Sequence, residues 1–184
     1  MPPKVKYSRE EILDAAVALT RERGFDAVTA RDLGARLGTS AKPVYGAFQN
    51  MSELKEAVIG RAYQVFASYQ THELETEKYP AYKATGMAYI RFAGEEPELF
   101  RLLFMRDRSR EHPGSDDGYY RNVMGILQDQ TGLEGDGANL FHAEMWIFVH
   151  GIAAMVATSY MSWDTELVSR MLTDVYQGLL GKEQ

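Results

Sequence analysis

Apolar residues recur at spacings of three and four along nearly the whole chain, and this period limits the possible folds more than any other feature. It is the period of a helix with one buried face. No segment alternates apolar and polar residues over the length of a strand, so no sheet is predicted. The sequence therefore predicts an all-α protein of about nine helices. Representative runs are Ile12, Ala15, Ala16 and Leu19, and then Leu54, Val58, Ala62, Val65, Phe66 and Tyr69.

Capping residues divide this period into separate helices. Ser8 and Glu11 have the spacing of a capping box, and the helix that they open is expected to end at Gly24. Thr29 is expected to cap a second, short helix, and Ser40 a third. Further helices are predicted from Ser52, after Pro80, after Pro97, over 117–130, over about 138–160 and, from an Asp164 cap, over about 165–180, with a loop over 106–118.

The net charge of −6 is unevenly distributed along the chain. Residues 1–50 carry eight Lys and Arg against six Asp and Glu, a net charge of +2. The remaining 134 residues carry 12 against 20, a net charge of −8. A basic N-terminal region on an acidic body attracts DNA at one end and repels it elsewhere, so this distribution is suggestive of a DNA-binding protein.

Three features bear on the compartment in which the protein works. The absence of cysteine excludes disulfides, thiolate metal sites and a cysteine nucleophile, and it fits a reducing cytosol. The basic start at 1–11 is followed by no apolar run, so no signal peptide is predicted. The longest apolar stretch, Met145–Ala157, has 13 residues, which is too short to span a bilayer. A cytoplasmic protein without membrane contact is expected.

Two short helices joined by a glycine-containing turn have the geometry of a helix-turn-helix motif. In such a motif the second helix enters the major groove, and its first residues contact base edges. Those residues are Ser40, Ala41, Lys42 and Pro43 here. The small side chains allow close approach, and Lys42 can reach guanine acceptors or a phosphate. A plain helical hairpin over 29–48 has the same spacing, so the pattern alone leaves both interpretations open.

The run TARDLGARLGTSAKPVYGAFQNMSELKEAV, residues 29–58, resembles the DNA-binding signature of the tetracycline-repressor (TetR) family. A threonine opens the second helix, a glycine turn follows, and the third helix ends in Tyr-x-x-Phe before a capped fourth helix. The resemblance implies a three-helix DNA-binding bundle with a helix-turn-helix at 1–52 and a larger helical ligand-binding and dimerisation domain at 53–184. It also implies that eight residues line the DNA, namely Thr29, Arg31, Thr39, Ser40, Lys42, Pro43, Tyr45 and Gly46.

The chain departs from the family pattern at two positions. Met51 stands near the start of the fourth helix, where the family usually has a basic residue, and Gly46 follows Tyr45, where an Arg or His is common. In the family the tyrosine that matches Tyr45 usually contacts a phosphate, while Phe48 belongs to the core. Each lost phosphate contact removes one released counterion, so a modest affinity at physiological salt is expected. Glycine inside so short a helix also costs about 1 kcal/mol relative to alanine.

The C-terminal region carries two short motifs that are similar to one TetR subgroup, whose C-terminal domain is named for a Trp–His–Gly motif. They are the run Pro97–Phe104, and Trp146 with His150 and Gly151. The region is rich in aromatic residues and methionine, which line ligand pockets but more often form ordinary core. Candidates for a pocket that takes a small apolar or aromatic effector are Phe66, Tyr89, Phe92, Phe104, Met105, Met124, Trp146 and His150. No cofactor or metal site is predicted.

His150 has three interpretations. It can hydrogen-bond a backbone carbonyl or an acidic neighbour, mark a close helix crossing beside Gly151, or contact a ligand.

The last two helices, about 138–160 and 165–180, are apolar on more than one face. The resemblance implies that they pair with their copies in a two-fold homodimer. Such a dimer would hold two recognition helices about 34–36 Å apart, or a multiple of that spacing, on a near-palindromic double-stranded DNA operator. A ligand that favours a dimer with the wrong spacing would release the DNA.

Other classes of protein fit the sequence less well. The four histidines form no HExxH pair, and the chain has neither a glycine-rich phosphate loop nor a Gly-x-Ser-x-Gly elbow, so an enzyme is not expected. The alternative to a DNA-binding repressor is a helical small-molecule-binding protein or enzyme in which the N-terminal helices are structural only. A purely structural adaptor leaves the basic helix-turn-helix unexplained.

Overall fold

In a computed structural model the chain is described over residues 7–107 and 117–181. Within these ranges the predicted all-α architecture is confirmed, with nine α-helices, a short 3-10 helix and no strand. The predicted loop over 106–118 lies largely outside the described residues. The helices are α1 (Arg9–Arg23), α2 (Ala30–Arg36), α3 (Lys42–Ala47), α4 (Met51–Glu75), α5 (Ala81–Glu95), α6 (Pro97–Phe104), α7 (Asp117–Thr131), α8 (Gly135–Ala157) and α9 (Thr165–Leu180).

Side-chain caps set the starts of three helices where they were predicted. Ser8 Oγ accepts a hydrogen bond from the Glu11 amide at 3.2 Å, and the Glu11 carboxylate accepts from the Ser8 amide at 2.7 Å. These two bonds complete the capping box of α1. Thr29 caps α2 by accepting from the Asp32 amide, and Asp164 caps α9 by accepting from the Leu167 amide. Gly24 ends α1 with a φ of 80°, a conformation that favours glycine.

The predicted cap of α3 is wrong by one residue. Ala41, not Ser40, precedes the helix, and it supplies no side-chain cap. Ala41 already has helical backbone angles, φ −65° and ψ −13°, so the turn runs directly into α3. Ser40 Oγ instead lies 3.4 Å from the Lys42 amide, at the edge of hydrogen-bonding distance.

The predicted cap of α4 is also wrong. α4 begins at Met51, before Ser52, because Asn50 Oδ1 accepts a hydrogen bond from the Glu53 amide at 2.9 Å. Asparagine caps helices as well as serine does, and it stands here at the spacing that a cap needs. The Glu53 carboxylate returns a bond to the Gln49 amide at 2.6 Å, which fixes the chain before the helix.

The chain forms two compact units. The first contains 7–65 and 96–106, that is, α1 to α3, the first part of α4, and α6. α6 packs against α1, and the Glu96 carboxylate before it accepts two hydrogen bonds of 2.7 Å from the Arg21 guanidinium. The functional boundary after residue 52 stays a prediction. Buried side chains of this unit include Ile12, Ala16, Leu33, Val44, Phe48, Leu54, Leu99 and Leu103.

The second unit contains the rest of α4 with α5, α7, α8 and α9. α5 packs against α7, α8 and α9, and nine of its 15 residues are buried. Gly86 allows this crowding on one side, because a Cβ there would lie 3.4 Å from Val149 and 3.5 Å from Leu172. The unit is therefore a bundle around α5.

α8 lies three residues earlier than the predicted range of 138–160. It ends in a Schellman motif. The Tyr160 amide donates to the Met155 carbonyl at 3.0 Å, and the Ser159 amide donates to the Val156 carbonyl, also at 3.0 Å. Ser159 takes the left-handed position with a φ of 56°. Glycine is usual there, so the sequence carried no signal for this stop.

α8 is also the one helix among residues 7–107 and 117–181 that is long and apolar enough to cross a membrane by length and composition. Its 18-residue apolar window has a mean hydropathy of 1.5, and 33% of that window is buried. A core helix can pass the same test, and α5, α7 and α9 do pack against α8.

Candidate nucleic-acid interface and internal cavity

A close crossing between α2 and α3 builds the helix-turn-helix. Gly34, inside α2, lies directly against the backbone before α3: a Cβ at this position would be 2.8 Å from the Ser40 carbonyl carbon and 3.0 Å from the Ala41 nitrogen. The Thr39 amide donates to the Gly34 carbonyl at 2.8 Å, and Gly38 turns the chain with a φ of 63°. Only glycine at position 34 permits this approach, which the sequence pattern did not single out.

The eight residues that the resemblance assigns to DNA lie on α2, on α3 and in the segments just before these helices. Tyr45 has 57% of its surface exposed, so its ring and hydroxyl are accessible to a partner. Phe48, assigned to the core, is 2% exposed. The direct contact of these eight residues with DNA stays a prediction. Thr29, Arg31, Ser40, Lys42, Tyr45 and Gly46 are exposed, and Thr39 and Pro43 are partly exposed.

Many basic side chains of the first unit form ion pairs with carboxylates of the same unit. Arg31 and Lys42 are different, because they form no ion pair with any residue in the described part of the chain. Lys4 and Lys6 lie outside the described residues. Between residues 7 and 50, the positive charge left for an external partner is therefore that of Arg31 and Lys42. The paired residues are Arg9 with Glu53, Arg21 with Glu96, Arg23 with Asp32, and Arg36 with Glu22, at 2.6 to 3.3 Å.

Arg9 ties the start of α1 to the end of α3. The carbon of its guanidinium lies 4.0 Å from the centre of the Phe48 ring. Its Nη1 donates to the Ala47 carbonyl at 2.8 Å and pairs with the Glu53 carboxylate at 2.8 Å. A planar guanidinium can stack and donate hydrogen bonds at once, so Arg9 positions α3 rather than adding free charge to it.

The second unit contains a cavity of about 260 Å³ between α5, α7, α8 and α9. This volume is just below the range of about 300–1,000 Å³ that is usual for ligand pockets. Of the eight residues predicted for a pocket, Tyr89 and Trp146 line it. Lys83 and His142 also line it, and the sequence pattern had singled out neither. The apolar part of the wall includes Val123, Met145, Val149 and Leu172.

Two tyrosine–histidine pairs join α5 to α8 beside this cavity. Tyr82 Oη lies 2.9 Å from His142 Nδ1, and Tyr89 Oη lies 2.9 Å from His150 Nδ1. Burial lowers the pKa of both imidazoles and raises the pKa of the Tyr82 hydroxyl. A neutral imidazole that accepts from the phenol at Nδ1 carries its proton on Nε2. The His150 ring also stacks on Trp146, with centroids 5.1 Å apart.

The other predicted pocket residues do not line this cavity. Phe66 and Phe92 pack together in the buried core of the second unit, with ring centroids 5.2 Å apart. Met124 is buried in a neighbouring cluster of the same unit. Phe104 and Met105 belong to the first unit, where Met105 is 43% exposed. A ligand role for any of these residues stays a prediction.

A second cavity of about 300 Å³ lies in the same unit and has a charged wall. The buried Glu73 carboxylate pairs there with the Arg91 guanidinium at 2.9 Å. Because the two charges offset each other, this cavity has less need of an ionic ligand. Within the described residues, no group of three or more His, Cys, Asp or Glu side chains is arranged to hold a metal ion.

Comparison with known proteins agrees with this architecture. Residues 12–58 match the family described as "Bacterial regulatory proteins, tetR family", and residues 82–175 match "Tetracyclin repressor-like, C-terminal domain". An uncharacterized HTH-type transcriptional regulator of Mycobacterium tuberculosis is 24% identical over 168 residues, 89% of this chain and 77% of the relative. The tetracycline repressor protein class D of Escherichia coli is 29% identical over 130 residues, 68% of this chain and 55% of that repressor.

The fold is shared with solved structures as well. A TetR-like transcriptional regulator from Rhodococcus sp. RHA1 matches with a TM-score of 0.72 at 19% identity, over 94% of this chain and 96% of that chain. The C-terminal match is to a tetracycline-repressor-like domain, so the Trp–His–Gly subgroup stays a prediction. That C-terminal match alone covers more than half of the 184 residues. This chain belongs to the TetR family of bacterial regulatory proteins.

Proposed function

We propose that this chain is a dimeric transcriptional repressor that binds a near-palindromic double-stranded DNA operator and is released from it by a small molecule. The observation that carries the proposal is the surface of α3 in a family of bacterial regulators: Lys42 forms no ion pair with the described residues, and Tyr45 is 57% exposed. Both side chains are exposed, so both are available to a partner.

In this proposal α3 enters the major groove. Lys42, in the first turn of α3, reaches a guanine or a phosphate, and Tyr45 contacts a phosphate one turn later. Arg31 on α2 adds a second positive charge on the same motif. Gly34 keeps α2 close to the turn that leads into α3, so the helix is presented in one fixed orientation.

A homodimer through α8 and α9 is supported by their exposed apolar residues. Leu140, Ile147 and Met155 on α8 are 56%, 66% and 37% exposed. Spacings of seven and eight residues return to the same face of a helix, so the three form one stripe. Gly151 lies in this stripe and would permit a second helix to approach closely, while Leu167 extends the apolar surface onto α9 at 38% exposure. Burial of this surface against a second copy would remove it from water.

A ligand would release the repressor from DNA if it binds the cavity of the second unit more tightly in a dimer whose recognition helices do not fit the operator. The ligand must bind that state better than the DNA-bound state, or it shifts no population. Walls that combine apolar side chains with a few polar groups, as in this cavity, are typical of ligand sites.

The test begins with selection of bound fragments from genomic DNA, followed by affinity measurements on the fragment that is recovered. Lys42→Ala and Tyr45→Ala are each expected to weaken operator binding by about tenfold or more, because a good base or phosphate contact contributes about 1–3 kcal/mol. Lys78→Ala removes an exposed lysine of the second unit and should leave affinity unchanged. Both DNA-face variants should keep the thermal stability of the parent protein. Unchanged affinity in both would contradict the assignment of α3.

A further inference from the structure

We propose that the cavity of the second unit binds a small aromatic monocarboxylate, with the carboxylate on Lys83 and the ring against the aromatic part of the wall. The proposal deepens the proposed function, on which it rests, by naming the chemical class of the effector. It depends on three properties of the cavity: the sign of its charge, the number of its charges, and the nature of the remaining surface.

Among the described residues, the cavity wall carries one ammonium group and no carboxylate. Lys83 Nζ donates a hydrogen bond to Thr173 Oγ1 at 2.7 Å and lies 5.2 Å from the centre of the Tyr79 ring, and it forms no ion pair with any described residue. Burial lowers the pKa of Lys83, which is the response of an ammonium that has lost water without gaining an anion. His142 is neutral near pH 7, so Lys83 alone sets the sign of the charge in the cavity. A cationic ligand would be repelled, and an anionic one would compensate Lys83.

A single ammonium suits a ligand with a single negative charge. A second charge on the ligand would lie against the apolar wall, where an uncompensated ion is costly. α9 places two polar groups beside this ammonium: Thr173 bonds to Lys83, and Gln177 lies one turn further along the same helix face. The Thr173 hydroxyl donates its one proton to the Ser169 carbonyl at 3.1 Å, so it holds the ammonium in place, and the Gln177 amide is the further donor for the carboxylate.

The rest of the wall suits an aromatic ring. Tyr89 and Trp146 present ring surfaces, and Val123, Val149 and Leu172 present aliphatic groups. Aromatic side chains favour a flat apolar partner through stacking and edge contacts. A volume of about 260 Å³ limits the ligand to about one or two rings.

Three probes of the same shape separate charge from apolar fit: 2-naphthoate, its neutral amide 2-naphthamide, and the cationic 2-naphthylmethylamine, each titrated into the full-length protein by calorimetry. A hydrogen-bonded charge pair is expected to make 2-naphthoate bind at least about tenfold more tightly than 2-naphthamide, with the amine weakest. Lys83→Met keeps the aliphatic stem and should abolish the preference for the acid while changing affinity for the amide by less than about twofold. Lys83→Arg should retain the preference.

Lys78→Met is the matched control. Lys78 also lies about 5 Å from the Tyr79 ring, at 5.1 Å against 5.2 Å for Lys83, but it does not line this cavity. The Lys78→Met variant should leave the affinities for all three probes unchanged. Binding of the amide or amine as tight as that of the acid, no binding of any probe, or an unchanged acid preference in Lys83→Met would each overturn the proposal. Operator binding by the ligand-free protein is measured separately, so failure here is distinguishable from failure of the proposed repressor function.

Discussion

Two glycines of the helix-turn-helix should respond to alanine in opposite directions. Gly34 and Gly46 both lie within helices and have ordinary helical φ values. A Cβ on Gly34 would meet backbone atoms of Ser40 at 2.8 and 2.9 Å, whereas a Cβ on Gly46 would meet nothing within 4 Å. Helix propensity favours alanine at both positions, by about 0.8–1 kcal/mol. The difference in packing therefore decides the sign at each position.

At Gly46 the gain in propensity is unopposed, so Gly46→Ala should stabilise the first unit by up to about 1 kcal/mol. At Gly34 the new methyl group presses on main-chain atoms that cannot rotate away, so the cost lies in the upper part of the usual overpacking range, at about 2–3 kcal/mol. After the propensity gain is subtracted, Gly34→Ala should destabilise by about 1–2 kcal/mol. For a chain of this size these values correspond to a rise in Tm of about 2–4 °C for Gly46→Ala and a fall of about 2–8 °C for Gly34→Ala.

Thermal unfolding followed by circular dichroism, without DNA, measures both shifts. Gly60→Ala serves as the control, since Gly60 lies inside α4 with nothing within 4 Å of its Cβ position and should behave like Gly46→Ala. Gly34→Ala should also weaken operator binding, because the crossing that orients α3 is forced apart. A Gly34→Ala protein as stable as the parent, or shifted upward like the other two, would refute the packing of α2 on the turn.

Two further predictions concern the second unit. Burial holds the folded-state pKa of His142 and His150 below the value of about 6.5 expected in the unfolded chain, so stability should be full above about pH 6.5 and decline as the pH falls through the folded pKa. His142→Gln keeps an acceptor for the Tyr82 hydroxyl but cannot be protonated in this range. Between pH 7.5 and 5.5 the Tm of this variant should therefore fall less than the Tm of the parent protein. Parallel curves of Tm against pH would count against a neutral buried His142. Ile147→Arg, at the centre of the exposed stripe of α8, should convert the proposed dimer to monomer in sedimentation equilibrium, while Met105→Arg, at an exposed apolar residue of the first unit, should not. A dimeric Ile147→Arg protein would exclude this face.

Local signals in the sequence predicted the helices better than their packing. Ser8, Thr29 and Asp164 could be identified as caps because a cap is completed within three residues of itself. The end of α8 could not, since Ser159 occupies a left-handed position for which glycine is the usual signal. The place of α6 in the first unit depends on packing against α1 and on the Arg21–Glu96 pair, whose partners are 75 residues apart.

The cavity was harder to predict for a similar reason. Its lining depends on how four helices face one another, and apolar period alone does not distinguish core from cavity wall. Lys83 follows Tyr82 on α5, and a lysine on a helix ordinarily indicates the solvent face. The tyrosine–histidine pairs had a weak signal: Tyr82 and Tyr89 are seven residues apart and His142 and His150 eight, both close to two helical turns. Such a match becomes informative only when the two helices are known to be neighbours.

The internal ion pairs of the first unit change what its positive charge can do for operator binding. Arg9, Arg21, Arg23 and Arg36 already have carboxylate partners, so they attract DNA less than a count of basic residues suggests. Each phosphate neutralised by the protein contributes about 0.9 to the slope of log affinity against log salt. If Lys42 contacts a phosphate, Lys42→Ala should lower that slope by about two in a dimer, one for each protomer. If Lys42 contacts a base, Lys42→Ala should lower the affinity and leave the slope against log salt unchanged. The salt dependence thus separates two roles for Lys42 that affinity at one salt concentration cannot distinguish.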